Sequence, residues 1–450
     1  MDKYLSAGLL SICLCLAPFF IQGQEADIFP YDYHIETLDN GLKVISIPLD
    51  NPHIISYYTV VRSGSRNEIE PGKSGFAHFF EHMMFKGTKN VPREEYDNFL
   101  TGLGAGTNGY TTDDYTCYFV VFAGQENMEE VVEMESDRFI NLYYDEEMLK
   151  TEASVIEGEY YSSVSNPGRR LYELLRHTAF EEHSYKHTTL GYLEDIQDMP
   201  NQFEYSKQYK QRFYSPDNTI LLVAGDYQHE QLMQLVRKYY GDWEPSGYEL
   251  KTPEEPVQTE QKRAHYEWPG NTLPRLAMGF HGPAYSTEDR DKAALDLLAE
   301  IAFSNSSPLY QKLVVDEQKC LYLGADFPDR RDPYLLTINA VLKDKSDLKY
   351  VEQEIFNTLE KHKNELIPEE KLEDVKSNMK YSLARQMSTT DGVAGILAFY
   401  INLEEDPDTL NELFNLYLKI TPEDIKEMTR KYFKITNSTV VTLSSGGGDQ

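Results

Sequence analysis

The stretch Gly75-Phe-Ala-His-Phe-Phe-Glu-His-Met-Met84 carries the strongest signal in this chain of 450 residues. Residues four apart on an α-helix share one face, so His78 and His82 can direct two imidazoles at one metal ion. Glu81 lies beside them and can bring its carboxylate to the same place. Zinc binds neutral imidazole nitrogens, and its catalytic sites keep one position for water. A nearby carboxylate can take the proton from that water, which makes Glu81 the candidate general base.

The same stretch has the expected boundaries of a short helix. Ser74 is a candidate N-cap, Gly87 is a candidate C-terminal stop, and the aromatic and methionine side chains between them offer packing surface. The order H-x-x-E-H is the inverted form of the commoner H-E-x-x-H zinc motif. The alternative is two ordinary histidines and a solvated glutamate on an amphipathic helix. The well-bounded, apolar setting favours the metal site.

A third metal ligand has to come from another part of the chain, and residues 145–161 are predicted to form a helix that could supply it. Four of its residues fall on one face, at helical offsets: Glu152, Val155, Ile156 and Glu159. Carboxylates on a core-directed face are costly unless they are paired or bound to a cation. Spacing alone leaves Glu152, Glu157 and Glu159 open as the third ligand.

These residues resemble the pitrilysin, insulin-degrading enzyme and mitochondrial processing peptidase family of H-x-x-E-H zinc metallopeptidases. In that family a downstream helix with the pattern E-x-x-V-x-x-x-E completes the site, and Glu152 to Glu159 fits this pattern. The resemblance implies one zinc ion per chain, bound by His78, His82 and Glu159. It also implies that Glu152 is a supporting carboxylate of the catalytic site.

Other segments extend the resemblance over nearly the whole chain after the N-terminal segment. Asn108-Gly-Tyr-Thr111 is similar to the edge strand with which the family pairs the substrate backbone. This implies a substrate-binding role for four residues: Asn108, Gly109, Tyr110 and Thr111. Residues 213–226 and 420–443 are similar to the family's F-Y-x-P-x-N…G-D strand and to its closing helix and strand.

The chain departs from the family at a pair of residues that contacts the substrate carbonyl. Members that cut peptides use an Arg and a Tyr seven residues apart, in the C-terminal half or in a partner chain. Tyr322 matches the Tyr and is a further candidate for substrate binding, but Val315 stands at the Arg position. We therefore favour a homo- or heterodimer in which a second family subunit supplies the Arg–Tyr pair. The alternative is an internal substitute such as Lys312.

The charge balance excludes one class of partner. The chain has 74 acidic and 43 basic side chains, a formal net charge of −31. Such a chain cannot bind nucleic acid through its overall charge. The acidic residues are spread along the sequence, so solubility explains them better than an acidic chamber that attracts cationic peptides.

Residues 1–23 have the features of a secretory signal peptide: a lysine near the start, an apolar centre and small residues near Gly23. Cleavage is favoured over an uncleaved membrane anchor, because polar residues dilute the run and no basic cluster follows it. The predicted location is therefore periplasmic or extracellular, with membrane association through an uncleaved segment as the alternative. Beyond this segment only Cys117 and Cys320 remain, too few for a disulfide framework, and both are predicted to be buried free thiols.

Strand and helix patterns occur twice along the chain, so the predicted fold class is α+β with two duplicated domains. The predicted units are an N-terminal domain with the zinc site at 24–244, a linker at 245–262, a homologous domain without the motif at 263–445 and a disordered tail at 446–450. Strands are expected at 41–48, 54–62, 115–123, 275–281 and 334–342. Helices are expected at 128–143, 145–161, 291–302, 309–316, 348–366 and 369–387. The family fold implied by the resemblance is a sheet with helices on one face in each half, the two halves facing each other as a clam-like chamber.

The implied function is that of a secreted zinc metalloendopeptidase that cuts unfolded peptides or oligopeptides. One alternative is a structural or peptide-binding subunit of a peptidase complex with a vestigial site. Another is a metal-storage protein, which a single, non-repeating site disfavours.

Overall fold

The computed structural model describes residues 27–50 and 53–446. The predicted signal peptide and tail residues 447–450 lie outside the described residues. The strands are β1 His34–Thr37, β2 Lys43–Pro48, β3 Ile54–Val61, β4 Gly106–Thr111, β5 Thr116–Ala123, β6 Thr219–Gly225, β7 Lys262–Trp268, β8 Arg275–His281, β9 Cys320–Asp326, β10 Leu335–Leu342 and β11 Ser438–Ser445. The helices are α1 Phe76–Met83, α2 Arg93–Gly102, α3 Met128–Asn141, α4 Glu146–Val164, α5 Pro167–Ala179, α6 Leu193–Asp198, α7 Phe203–Phe213, α8 His229–Tyr240, α9 Arg290–Phe303, α10 Pro308–Tyr310, α11 Leu348–Asn364, α12 Glu369–Gln386, α13 Thr390–Glu404, α14 Thr409–Lys419 and α15 Pro422–Tyr432.

The strands form two sheets with the same internal order. The first runs β1-β2-β6-β3-β5-β4 and the second β7-β11-β8-β10-β9. Each sheet contains one parallel pair of strands, β2 with β6 in the first sheet and β7 with β11 in the second. The other pairs of neighbouring strands are antiparallel. The first sheet differs by the extra edge strand β1. The predicted α+β class with two duplicated domains is thus confirmed.

Each sheet is covered on both faces, once by helices of its own half and once by a helix of the other half. Helix α13 packs on β3 and β6 of the first sheet, while α5 packs on β7, β8 and β11 of the second. The small apolar residues of α13, such as Ala394 and Ala398, are fully buried there. The two halves therefore face each other through exchanged helices and share one continuous core.

Strand β3 shows why the first sheet can bury both faces. Its sequence Ile-Ile-Ser-Tyr-Tyr-Thr-Val-Val is an almost unbroken run of β-branched and aromatic residues. Side chains alternate across a strand, so Tyr57 and Val61 pack among the helices of the first half, whereas Tyr58 and Val60 contact the core shared with the second half.

Charged groups also join the halves directly behind edge strand β4. Asp113 is buried and pairs with Arg176 at 2.8 Å and with Arg330 of the second half at 3.0 Å. Its neighbour Asp114 accepts a hydrogen bond from Tyr185 Oη at 2.5 Å and another from the backbone N–H of Arg331. A buried carboxylate that binds two guanidinium groups is well compensated, so this contact fixes the end of β4 against the second half.

Most predicted elements are present. The segment 309–316 was predicted to be an α-helix, but only its start belongs to the short α10, and Gln311–Asp316 form a π-helix. No helix or strand occurs between Tyr240 and Lys262, where the linker is predicted, although the domain boundaries themselves stay predictions. Cys117 and Cys320 are free and buried, as predicted. Within the described residues, no helix has the length and apolar character needed to cross a membrane.

Candidate metal centre and peptide-binding edge

Helix α1 begins at Phe76, and the prediction that Ser74 caps it is wrong. The N-cap is Gly75, whose φ of 94° is the left-handed conformation that glycine adopts without strain. Ser74 Oγ instead donates to Asp195 at 2.6 Å. The free N–H groups of Gly75 and Ala77 donate to the buried carboxylate of Glu68 at 2.8 and 2.6 Å. A side chain seven residues before Gly75 thus anchors the motif helix, a contact that no local sequence signal indicates.

Helices α1 and α4 bring three donor groups to one place. Nε2 of His78 lies 3.5 Å from Glu159 Oε2, and Nε2 of His82 lies 3.6 Å from the same oxygen. All three donor atoms lie within 4.8 Å of one another. Glu157 faces elsewhere, because its carboxylate accepts hydrogen bonds from Gln197 and Tyr161. Of the glutamates left open by spacing, Glu159 is therefore the one that meets both histidines.

The chemistry of this donor set fits zinc, which favours imidazole nitrogen and carboxylate oxygen in three-ligand sites. Burial, with a smaller effect of the neighbouring His82, lowers the pKa of His78 to about 4, so its imidazole is neutral near neutral pH. Burial alone would lower the pKa of His82. The hydrogen bond with Glu152 and the nearby carboxylates outweigh that effect and raise the pKa.

Glu152 lies behind His82 rather than among the converging donors. Its Oε1 is 2.8 Å from His82 Nδ1, and its Oε2 is 2.5 Å from Nζ of Lys86. With His82 donating from Nδ1, Nε2 keeps a free lone pair directed toward Glu159. Glu152 is only 3% exposed, so its two partners compensate for its burial. Glu152 thus contacts His82 from behind, and Lys86, which sequence patterns did not single out, contacts Glu152. The sequence signal that could have indicated Lys86 is its position four residues after His82.

The face predicted for α4 is partly wrong. Glu152 and Ile156 are buried, but Val155 is 45% exposed and Glu159 lies on the more accessible side of the helix. The buried stripe of this helix runs through Leu149, Glu152, Ala153, Ile156 and Tyr160. Glu159 consequently reaches the histidines from the edge of the contact between α1 and α4, where solvent has access.

Glu81 faces the same place from α1 and is held from the sheet. Thr111 Oγ1 donates to Glu81 Oε2 at 2.7 Å. Burial raises the pKa of Glu81, and the Thr111 hydrogen bond opposes part of that rise. Thr111 was predicted to bind substrate, which stays a prediction, and local sequence could not indicate its contact with Glu81.

The segment predicted to bind peptide backbone is β4, which is the outermost strand of the first sheet. Among the described residues, β4 pairs only with β5, with Asn108 opposite Phe119 and Gly109 opposite Tyr118. Asn108 is exposed and Tyr110 is half-buried, with its ring against Tyr115. A Cβ at Gly109 would come within 3.0 Å of the Phe85 ring, so glycine allows the turn after α1 to pack against this strand.

Tyr322, the remaining residue predicted to bind substrate, belongs to the second sheet. Tyr322 lies half-exposed on β9, the edge strand of the second sheet, and within the described residues it forms no hydrogen bond or ion pair with the site. Val315 is exposed in the π-helix nearby. Lys312 is already paired with Glu354, which leaves it poorly placed as an internal substitute for the missing Arg.

An H-x-x-E-H helix beside the free edge of a duplicated α+β fold defines the class of inverted-motif zinc peptidases. The chain belongs to the M16 peptidase family. Residues 43–192 match the family model described as "Insulinase (Peptidase family M16)", and residues 202–379 match "Peptidase M16 inactive domain". The expected family is thereby confirmed.

Relatives with protease names cover almost the whole chain. The zinc protease PqqE of Helicobacter pylori is 29% identical over 90% of this chain and 91% of its own length. A solved structure of a protease from Helicobacter pylori superposes with a TM-score of 0.85 at 29% identity, covering 92% of this chain and 99% of that one. Subunit 1 of the mitochondrial cytochrome b-c1 complex of Bos taurus is 26% identical over 57% of this chain and 52% of its own length. Peptidase activity is thus supported by the named zinc proteases, within a family whose members are not all named as proteases.

Proposed function

We propose that this chain is a zinc metalloendopeptidase that hydrolyses unfolded peptides or oligopeptides, with Glu81 as the general base. The observation that supports this best is the meeting of His78, His82 and Glu159 around one point, with the Glu81 carboxylate on the same helix. The whole set of residues needed for water activation is present. A storage role would not need the added carboxylate.

A zinc ion bound by His78, His82 and Glu159 would supply Lewis-acid polarisation of the attacking water and of the peptide carbonyl. Glu81 then accepts the proton of that water and returns it to the leaving amine. Thr111 orients the Glu81 carboxylate, and Glu152 keeps His82 in the tautomer that leaves Nε2 free. Holding these groups in fixed positions favours the proton transfer.

The substrate is proposed to bind as an added strand along β4. An edge strand has unpaired backbone N–H and C=O groups, which an extended peptide can satisfy. Because Thr111 ends β4 and contacts Glu81, a peptide paired with Asn108 to Thr111 would lie beside the base. This binding mode selects extended, unfolded chains over folded proteins.

The missing Arg motivates the proposed partner. Val315 is exposed where the family pattern has a cation, and Lys312 is tied to Glu354. We propose that a second family chain supplies the Arg–Tyr pair in a dimer. Export through residues 1–23 belongs to the same proposal and rests on the sequence pattern alone.

The exposed Val315 also favours one alternative, a peptide-binding subunit without activity of its own. Zinc content and hydrolysis of an unfolded peptide separate the two, with Glu81→Gln as the control. Stoichiometric zinc with hydrolysis that Glu81→Gln abolishes supports the peptidase. Peptide binding with no hydrolysis, in the presence or absence of a partner chain, supports the alternative.

A further inference from the structure

A cavity of about 320 Å³ lies beside the metal centre, at the seam between the two halves. Its wall includes Tyr160 and Ser163, which follow the proposed ligand Glu159 on α4 by one residue and by one turn. Thr112, directly after Thr111, forms another part of the wall. Leu190 closes the side nearest α1, where its carbonyl oxygen lies 2.8 Å from the position of a Cβ on Gly75. The cavity is thus lined by chain neighbours of Glu159 and Thr111 and lies against the start of α1.

The charges that line this cavity are mainly positive, in contrast to the acidic chain as a whole. Three arginines and two acids contribute: Arg169, Arg176, Arg330, Asp113 and Glu173. Five hydroxyl-bearing residues also line the cavity: Thr112, Ser163, Thr188, Thr189 and Tyr172. A small, partly enclosed site with this lining suits an anionic group.

All but one of these charges already have partners. Asp113 binds Arg176 and Arg330 in the buried contact between the halves. Glu173 pairs with Arg170 and accepts a hydrogen bond from Tyr160 Oη at 3.0 Å. Among the described residues, the guanidinium of Arg169 makes no ion pair and no hydrogen bond, although Arg170, the next residue, is fully engaged. Arg169 is therefore the lining cation available to a ligand.

We propose that this cavity binds a carboxylate of the peptide substrate through Arg169. The carboxylate is either an Asp or Glu side chain close to the cleaved bond or the C-terminus of the peptide itself. Arg169 forms charge-assisted hydrogen bonds with it, and the hydroxyl groups of Ser163, Thr188 and Thr189 complete its coordination. This specificity rests on the proposed peptidase function, since it places the substrate beside Glu159 and Glu81.

The test uses zinc-loaded full-length chain, together with any family chain that co-purifies with it. Matched peptides carry Glu or Gln at each position around the cleaved bond, and each is made with a free or an amidated C-terminus. Values of kcat/KM are measured for the natural chain and for Arg169→Ala, Arg169→Lys and Arg169→Glu. Arg237→Ala is the control, because Arg237 is an exposed arginine on α8 that pairs with Glu36 and does not line the cavity. Binding of the same peptides is measured separately on Glu81→Gln and on Glu81→Gln combined with Arg169→Ala.

An acidic peptide should be favoured about tenfold over its neutral match, the scale of one charge-assisted contact. Arg169→Ala should remove this preference for the acidic peptide, and Arg169→Lys should keep part of it. Arg169→Glu should reverse the preference, and Arg237→Ala should leave it unchanged. A preference that follows the side chain or the free C-terminus identifies the source of the carboxylate. Equal kcat/KM for acidic and neutral peptides, or a preference that survives Arg169→Ala, overturns the proposal. If no peptide is cut but Glu81→Gln still binds acidic peptides through Arg169, the proposed peptidase function fails and the carboxylate site stands.

Discussion

The hydroxyl of Thr111 donates a hydrogen bond to Oε2 of Glu81 across 2.7 Å, joining the last residue of edge strand β4 to the motif helix. The strand proposed to bind substrate and the residue proposed to act as base are therefore directly hydrogen-bonded. A peptide that pairs with β4 is placed at a defined distance from the carboxylate.

Replacing Thr111 by Val should keep the shape of the strand and remove the hydrogen bond to Glu81. We expect kcat to fall about tenfold, the scale of one hydrogen bond to a charged group, with little change in KM or zinc content. Steady-state kinetics on an unfolded peptide measures this. Thr107→Val, on the same strand but exposed, is the matched control. An unchanged kcat in Thr111→Val would show that Glu81 does not depend on this contact.

The Glu81→Gln variant should fold normally and bind zinc but lose hydrolysis by roughly 10²- to 10⁴-fold, because an amide cannot accept the proton of the attacking water. Glu157→Gln, an equivalent change on α4 at a carboxylate that does not face the histidines, should retain full activity. Turnover by Glu81→Gln close to that of the natural chain would remove Glu81 from the role of base.

One zinc ion should bind per chain, and His78→Ala or Glu159→Ala should abolish stoichiometric binding, since each removes one of three converging donors. Glu157→Ala should retain zinc. Glu152→Ala should weaken zinc binding by roughly 10- to 100-fold, because it frees the orientation of His82. Elemental analysis after dialysis against a metal buffer measures all four. Full zinc retention in His78→Ala contradicts the assignment.

The chain alone should hydrolyse peptides slowly, because Val315 stands where the family pattern has a cation. Adding a homologous chain that carries the Arg–Tyr pair but lacks H-x-x-E-H should raise the rate by roughly 10²- to 10³-fold, the effect of one oxyanion donor. Turnover is compared before and after mixing, with the first sample checked for other subunits. A rate of roughly 1 to 10³ per second from the isolated chain would refute the need for a partner.

Acid should weaken the contact between the halves through Asp113. Burial alone would raise its pKa, but Arg176 and Arg330 outweigh burial and lower the pKa to about 2. A depressed carboxyl pKa stabilises the fold fully above its unfolded value of about 4, and this contribution is lost as the pH falls toward about 2.

Asp113→Asn leaves the buried Arg176 and the partly exposed Arg330 without their anion and should cost about 3 to 5 kcal/mol near neutral pH. The difference in the free energy of unfolding between the two proteins should then shrink as the pH falls from about 4 to about 2. Urea unfolding of the zinc-free forms at a series of pH values measures this. A difference that does not change with pH would show that the Asp113 carboxylate is not responsible.

Local patterns in the sequence predicted most of the elements. His78 and His82 share a face because the helical period relates residues four apart, whatever the rest of the fold does. The β-branched and aromatic run at 54–62 predicted the strand β3, and the count of cysteines predicted free thiols. These properties depend on neighbours within one or two turns, so the sequence by itself determined them.

Contacts between distant segments were decided only by the tertiary structure. Spacing left Glu152, Glu157 and Glu159 equivalent, and the packing of α4 against α1 directs Glu159 to the histidines and Glu152 to the back of His82. The exposure of Val155, the anchoring of α1 by Glu68 and the exchange of α5 and α13 between the sheets have the same origin. Each follows from which apolar surfaces are buried together, and burial depends on partners far away in the chain, which no local period records.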